Sequence, residues 1–223
     1  MRNRLLSIVL ILVLSASCAI AQEESKTSFA ILGGVNFQNL NGKLSSGDKL
    51  DNDMLLGYHA GINVQIPIVA GFYLQPGILY TLKGAKNTNS VYTETTKIGY
   101  LEVPFDLIYK VSLGKGFFML GAGPYFAYGI SGNVKDEGSS VTLDRDIKFK
   151  NVVALTDPLT TPYYKAFDAG ANAFVGFESS VGLFLQLETQ FGLTNINPED
   201  KRILTDKSSK KNTGFGLSLG YRF

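Results

Sequence analysis

The chain has 223 residues, 45% hydrophobic and 18% charged, with 24 Gly, 15 Phe, 11 Tyr, no Trp, one Cys and one His. That length suits one domain of about 200 residues, and no apolar run after residue 22 reaches the roughly 20 residues of a spanning helix. The aromatic content and formal net charge of +2 exclude a disordered chain, and one His with one Cys cannot assemble the usual zinc sites. The charged share is low against about 25% in soluble domains, and that deficit needs a physical cause.

Residues 1–22 read MRNRLLSIVLILVLSASCAIAQ. Arg2 and Arg4 precede an apolar run from Leu5 to Leu14, and Ala19, Ile20 and Ala21 fit an A-x-A cleavage site, so residues 1–21 are predicted to be a secretory signal peptide. A retained anchor and a lipoprotein with Cys18 lipidated are the alternatives; Ser15 stands where lipoprotein sites usually carry Leu. Cleavage removes Arg2, Arg4 and Cys18, leaving residues 22–223 formally neutral and without a thiol. A nucleic-acid partner, which wants a basic surface, loses its support.

The mature chain alternates with period 2, the pattern of strands. In chain order the segments lie near 27–38, 56–66, 71–83, 101–110, 116–131, 167–178, 183–193 and 213–223, eight in all. In the second, Leu56, Tyr58, Ala60, Ile62, Val64 and Ile66 oppose Gly57, His59, Gly61, Asn63 and Gln65. In the fourth, Leu101, Val103, Phe105, Leu107 and Tyr109 oppose Tyr100, Glu102, Pro104, Asp106 and Lys110. The last is the clearest: Thr213, Phe215, Leu217, Leu219, Tyr221 and Phe223 oppose Gly214, Gly216, Ser218, Gly220 and Arg222.

A soluble sandwich alternates too, but it points the apolar face inward. Here the polar face is rich in Gly, Asn and Gln and poor in Lys. The segments run about 11–15 residues, where soluble strands average about 5–6, and aromatic residues gather near their ends. Those features fit tilted membrane strands with lipid outside and polar groups inside. The connections at 67–71, 112–115 and 179–182 are tight; those at 39–53, 84–95, 132–164 and 195–212 are long and polar. The prediction is all-β: a closed, antiparallel, eight-stranded transmembrane up-and-down β-barrel with both termini periplasmic and the long loops extracellular. Closure is required because lipid cannot satisfy an open sheet edge.

Several stretches carry a resemblance: G-Y-L-E-V-P-F at 99–105, L-G-A-G-P-Y at 120–125, D-I-K-F at 146–149, F-D-A-G at 167–170, F-L-Q-L at 184–187, G-L-T-N at 192–195 and G-Y-R-F at 220–223. With them the chain resembles the outer-membrane β-barrel family of Bacteroidota that includes the PorT-like proteins, related in shape to the OmpA barrel. The resemblance spans essentially the mature chain and implies fold and location, with a secretion or gliding role known only for PorT itself. It also implies that Tyr221 and Phe223 form the terminal signal read by the barrel-assembly machinery.

The predicted lumen holds His59, Gln65, Gln75, Lys83, Glu102, Asp106, Lys110, Asp168, Asn172, Glu178, Gln186, Glu188, Gln190 and Arg222. Buried charges require partners, so a hydrogen-bonded polar plug is expected, with Glu102, Asp106, Asp168 and Glu188 facing Lys110, Arg222 and each other. A narrow ion or proton path, a small pore and a carboxylate-based or lipid-modifying enzyme are the alternatives. No catalytic, metal or cofactor site is predicted: no nucleophile motif accompanies His59, and Gly121 and Gly123 precede no helix that would complete a phosphate loop. Pro104 and Pro124, inside strands, predict a bulge or bend. The expected partners are outer-membrane lipid, the assembly machinery and, through the loops, an unidentified surface or secretion-system protein.

Overall fold

The computed structural model describes residues 26–89, 92–138, 141–203 and 206–223; the predicted signal peptide and Cys18 lie outside them. Eight long strands form the wall: β1 Ser28–Lys43, β2 Leu55–Val69, β3 Phe72–Thr88, β4 Tyr92–Ser112, β5 Gly116–Gly138, β6 Phe167–Ser179, β7 Leu183–Gly192 and β8 Ser209–Arg222. Each pairs antiparallel with its neighbours in sequence, and β8 pairs with β1 from Ala30 opposite Arg222 to Lys43 opposite Ser209. The ring therefore closes, and no long strand keeps an open edge.

Alternation sets the two faces. Ile31, Val35, Phe37, Tyr58, Ile62, Leu107, Leu120, Leu187 and Leu219 are exposed outward, while Asn36, His59, Gln75, Glu102, Gln186 and Ser218 are buried inward. Paired rings mark two levels of the outer wall. Phe72 and Tyr109 at 4.7 Å and Tyr221 and Phe223 at 4.9 Å lie near the tight turns; Phe37 and Phe215 at 5.2 Å and Tyr58 and Tyr80 at 6.0 Å lie near the loops. This is the arrangement of interfacial girdles around an apolar belt. The three tight turns each place a glycine at positive φ, Gly71 at 78°, Gly114 at 61° and Gly182 at 88°, a conformation that favours Gly because it has no Cβ.

Three expectations change. Of residues 84–95, read as a long loop, 84–88 and 92–95 continue the wall: Gly84 faces Lys97 and Thr88 faces Thr93. Above the lipid belt both faces of a hairpin meet water or loops, so its residues lose the apolar alternation that betrays a strand. Second, the register holds across Pro104 and Pro124 in the β4–β5 ladder; the shift there falls between Gly99 and Tyr100. Third, the connection at 132–164, read as a long polar loop, begins as strand: residues 142–146 pair back onto β5, Thr142 opposite Glu137 and Asp146 opposite Asn133, and the chain leaves that hairpin at Ile147.

Past that point the loops turn inward. Ile147, Tyr164 and Ile196 are buried in one cluster with Leu40, Ile98, Tyr100, Tyr125 and Val134 at the loop end of the lumen. Backbone bonds hold them there: Ile147 N–H donates to Gly132, Lys165 N–H to Ile196, and Ile196 N–H to Lys210. A second apolar cluster, Ala30, Leu32, Ile108, Met119, Phe174 and Phe184, lies deeper in the barrel. The plug is thus partly apolar, not the wholly polar network that alternation suggests.

Candidate functional site: the lumen network

The lumen side chains form three layers along the barrel. Nearest the tight turns, Lys110 of β4 donates to both Glu178 oxygens at 2.8 and 2.9 Å, and Arg222 of β8 donates from Nε to the same carboxylate at 2.9 Å. The remaining guanidinium nitrogens donate to Asn63 Oδ1 at 3.2 Å and Gln75 Oε1 at 3.1 Å, and Gln65 donates to Gln75 at 2.8 Å. One acid of β6 therefore ties β4 to β8 across the lumen.

Towards the loops the count is reversed. Lys83 of β3 is fully buried, with Nζ 2.7 Å from Glu102 and 3.6 Å from Asp168. Its ammonium also stands 4.0 Å above the Tyr125 ring and 5.5 Å from that of Tyr100, a favourable place for a desolvated cation. Asp168 accepts hydrogen bonds from Tyr125 at 3.1 Å, Asn212 at 2.9 Å and Thr194 at 2.9 Å. Glu102 accepts one from Gln190 at 2.7 Å.

Between these layers lies a polar cavity of about 40 Å³ lined by Asn36, His59, Asp106, Asn172, Glu188 and their neighbours. Asn172 donates to Asp106 at 2.9 Å. His59 Nε2 and Ser218 Oγ are 2.6 Å apart, Glu188 Oε1 is 3.6 Å from the same ring nitrogen, and Ser218 donates to Glu188 at 3.4 Å. This grouping depends on Gly34, which pairs with His59 on one side and Ser218 on the other. A Cβ on Gly34 would stand 2.8 Å from the imidazole, so only a bare position lets the ring lie across β1.

A serine, a histidine and a carboxylate together invite comparison with a hydrolytic triad. In a triad the acid holds Nδ1 while Nε2 faces the serine. Here Glu188 and Ser218 share Nε2, and Nδ1 has no hydrogen-bond partner. Ser218 is fully buried, and about 40 Å³ holds a few waters at most, not an acyl substrate. Among the described residues no group of three or more His, Cys, Asp or Glu is placed to hold a metal ion.

All eight polar residues predicted for the network, His59, Glu102, Asp106, Lys110, Asp168, Glu178, Glu188 and Arg222, face the lumen. Their pairing differs from the expectation. Lys110 and Arg222 both serve Glu178, whereas Glu102 and Asp168 rely on Lys83. The partners of Lys83 follow from register: Glu102 faces Leu79 four residues earlier on β3, and only the tilt of the strands brings the two side chains level. Ser218, Asn212, Tyr100, Tyr125 and Thr194 were not among the expected members: Ser218 and the two tyrosines sit in glycine- and aromatic-rich runs, and Asn212 and Thr194 stand at the ends of the connection read as loop over 195–212. Tyr221 and Phe223 lie on the outer wall in the ring pair near the tight turns, and Phe223 N–H donates to Phe29 across the closure.

A closed ring of eight tilted strands, apolar outside and ion-paired inside, defines a membrane-spanning β-barrel with a filled lumen. The chain belongs to the family of outer membrane protein beta-barrel domains, whose model matches residues 20–197. Among solved structures it is similar to Ail, the attachment invasion locus protein of Yersinia pestis, in complex with the heparin analogue sucrose octasulfate. That match has 13% identity and a TM-score of 0.44, over 89% of this chain and 100% of that one. A second structure of Ail matches at 9% identity and a TM-score of 0.40, with the same coverage of 89% and 100%. No curated protein matches the sequence.

Proposed function

We propose that this outer-membrane barrel is a non-enzymatic structural or binding module, with its lumen filled by the ion-paired network and recognition carried by the long loops. The termini and tight turns are periplasmic, and the loops reach outside. The observation that carries this reading is the double obstruction of the lumen. The Lys110–Glu178–Arg222 layer lies at one end and the Ile147, Tyr164 and Ile196 plug at the other, with only a small cavity between. A path for ions needs continuous water, and a lipid-modifying site needs a cleft of substrate size. The loops are built to hold a shape: Arg202 is paired with Asp200 at 2.6 Å and donates to the carbonyls of Pro158 and Asp157, while Lys150 holds Asp157 at 2.7 Å.

Planar-bilayer recording of the refolded protein tests the reading. The expected result is no stable conductance from the wild type; a steady single-channel current would replace this function with a pore. Surface labelling of cysteines placed at Ser45 and Gly114 tests orientation, with label expected only at Ser45. The Y-L-E-V-P segment and the aromatic terminus support kinship with the PorT-like branch of Bacteroidota. A place in a protein-secretion apparatus is therefore a second reading, tested by whether deletion of the gene blocks export of surface proteins. Tyr221 and Phe223 serve in this account as the signal for the barrel-assembly machinery.

A further inference from the structure

The outward positions of β1 and β8 continue past the stacked rings of Phe37 and Phe215 and there change character. On β1 they run Asn39, Asn41 and Lys43; on β8 they run Thr213 and Lys211. The ladder sets Lys211 opposite Asn41 and Lys43 opposite Ser209, so the two lysines are diagonal neighbours on one outer face, about 7–8 Å apart at such positions. Two loops bring more charge to the same edge. Lys49 bridges to Lys43 through the backbone, and the stem of Lys207 passes 3.4 Å from where a Cβ on Gly47 would stand.

These four lysines have no ion-pair partner among the described residues, whereas Arg145 and Lys150 on the connection between β5 and β6, and Arg202 on the loop that carries Lys207, are paired with Asp136, Asp157 and Asp200. Of the acids on the same two loops, Asp48 accepts from Ser46 Oγ, Asp206 accepts from Ser208 N–H and Asp200 is held by Arg202; among the described residues none of these, nor Asp51 or Asp53, pairs with the four lysines. Like charges set side by side on a sheet are destabilising, so the arrangement calls for an anion from outside the protein.

The level of the lysines says which kind. Lys211 stands four residues beyond Phe215 and Lys43 six beyond Phe37, about 13 and 20 Å along a strand and about 10 and 15 Å along the axis of a barrel tilted near 40°. Headgroups occupy roughly the 5–8 Å beyond the hydrocarbon on each side, and a lysine stem reaches back towards that layer. We propose that Lys43, Lys49, Lys207 and Lys211 form a rim site for the phosphate of an anionic membrane lipid in the leaflet at the loop end. A soluble anion would have no reason to seek the outer wall directly above the lipid belt. The proposal rests on the membrane-spanning fold and not on the non-enzymatic reading, so either can fail alone.

The barrel supplies its own control. Lys86 and Lys97 form a second diagonal pair, with Lys97 opposite Gly84 and Lys86 opposite Thr95, but there Glu137 lies close enough to feel both. That pair has less need of a lipid anion.

The test uses the full mature protein in nanodiscs of phosphatidylcholine, with and without added monophosphoryl lipid A, and reads lipid affinity by titration. K43Q/K211Q is expected to weaken binding of the phosphorylated lipid about thirtyfold, about fivefold per lysine, and K86Q/K97Q by less than fivefold. K43R/K211R should retain it, and phosphatidylcholine should be indifferent to all three. Heat-modifiable migration confirms that each variant folds. Equal losses in the two glutamine variants, or no loss in K43Q/K211Q, would overturn the site. Displacement of the lipid by inorganic phosphate at equal concentration would overturn the assignment to a lipid.

Discussion

Replacing Lys83 with Met removes the one cation among the described residues that faces Glu102 and Asp168 while keeping the bulk of the side chain. At 2.7 and 3.6 Å the two attractions are about 5–6 kcal/mol each at an effective dielectric of 20, offset by several kcal/mol for each desolvated ion. Truncating one member of a buried pair typically costs about 3–5 kcal/mol, because the other charge stays buried. Asp168 keeps three hydrogen-bond donors, but Glu102 keeps only Gln190, so the orphaned charge is mainly that of Glu102. The expected loss for K83M is about 4 kcal/mol. Adding E102Q to K83M should restore about half of it, a coupling of about 2 kcal/mol plus whatever E102Q costs alone. Urea unfolding in detergent or liposomes measures both, followed by far-ultraviolet circular dichroism and the heat-modifiable gel shift, since the chain has no Trp to report by fluorescence. A K83M barrel within about 1 kcal/mol of wild type, or additive double-mutant energies, would refute the view that this triad holds the loop end of the lumen.

Gly34→Ala sets a Cβ 2.1 Å from Leu217 O and 2.8 Å from the His59 ring, so it should cost about 1–3 kcal/mol in urea; a neutral effect would mean that β8 and the His59 ring do not approach β1 this closely. Arg202→Ala should free the turn around residues 154–160, seen as faster hydrogen exchange and protease cleavage there without loss of the folded barrel; unchanged exchange would remove Arg202 as the clasp. The Asp200 carboxyl is held below its ordinary range by hydrogen bonds from Arg202, and that of Asp157 by one from Lys150. Their contribution is therefore complete above an ordinary carboxylate pKa near 4 and disappears as pH falls through the lower folded values. Exchange in this loop should accordingly be flat from neutral pH down to about 4 and rise below it; a rise beginning near neutrality would point to other groups. Phe223→Ala should lower the assembled fraction in cells while changing urea stability little, because the Phe223 N–H bond to Phe29 is a backbone bond; normal assembly would remove the terminal signal.

Most of the wall was legible because lipid imposes a strict rule. Within the belt every outward position of β8 from Phe215 to Phe223 is apolar and every inward one is Gly, Ser or Arg, so period 2 alone assigns the faces. The rule lapses where lipid ends, and residues 84–95 looked like a loop for that reason. Inside the barrel the alternation separates lumen from lipid but not polar from apolar lumen. Phe174 and Phe184 occupy inward positions, with their rings 2.3 Å and 2.2 Å from where Cβ atoms on Gly121 and Gly220 would lie. A reader sees two glycines and two phenylalanines far apart in sequence; only the register shows that each glycine makes room for a ring. The same limit hid the partners of Lys83 and the inward turn of Ile147, Tyr164 and Ile196, single apolar residues in polar loops.

A membrane barrel of this size has its apolar faces turned to a medium that does not drive them together, so its interior must be specified by directional contacts. The two ion triads suit that task because each reaches across the lumen to strands that are not neighbours in the ring. Glu178 of β6 binds Lys110 of β4 and Arg222 of β8; Lys83 of β3 binds Glu102 of β4 and Asp168 of β6, which Asn212 of β8 also holds. A slip of one residue in any of these strands would carry its charges to the lipid face and an apolar side chain to the lumen, at a cost for each Lys or Arg that rises from about 0–1 kcal/mol near an interface to about 2–4 kcal/mol at the bilayer midplane. The triads carry opposite imbalances: two cations on one acid near the turns, and one cation between two acids near the loops. Exchanging their partners by a slip would therefore leave both ends mispaired. The polar lumen thus acts on register more than on total stability. That is why a low charge content, concentrated at a few inward positions and at the loops, is sufficient for this fold.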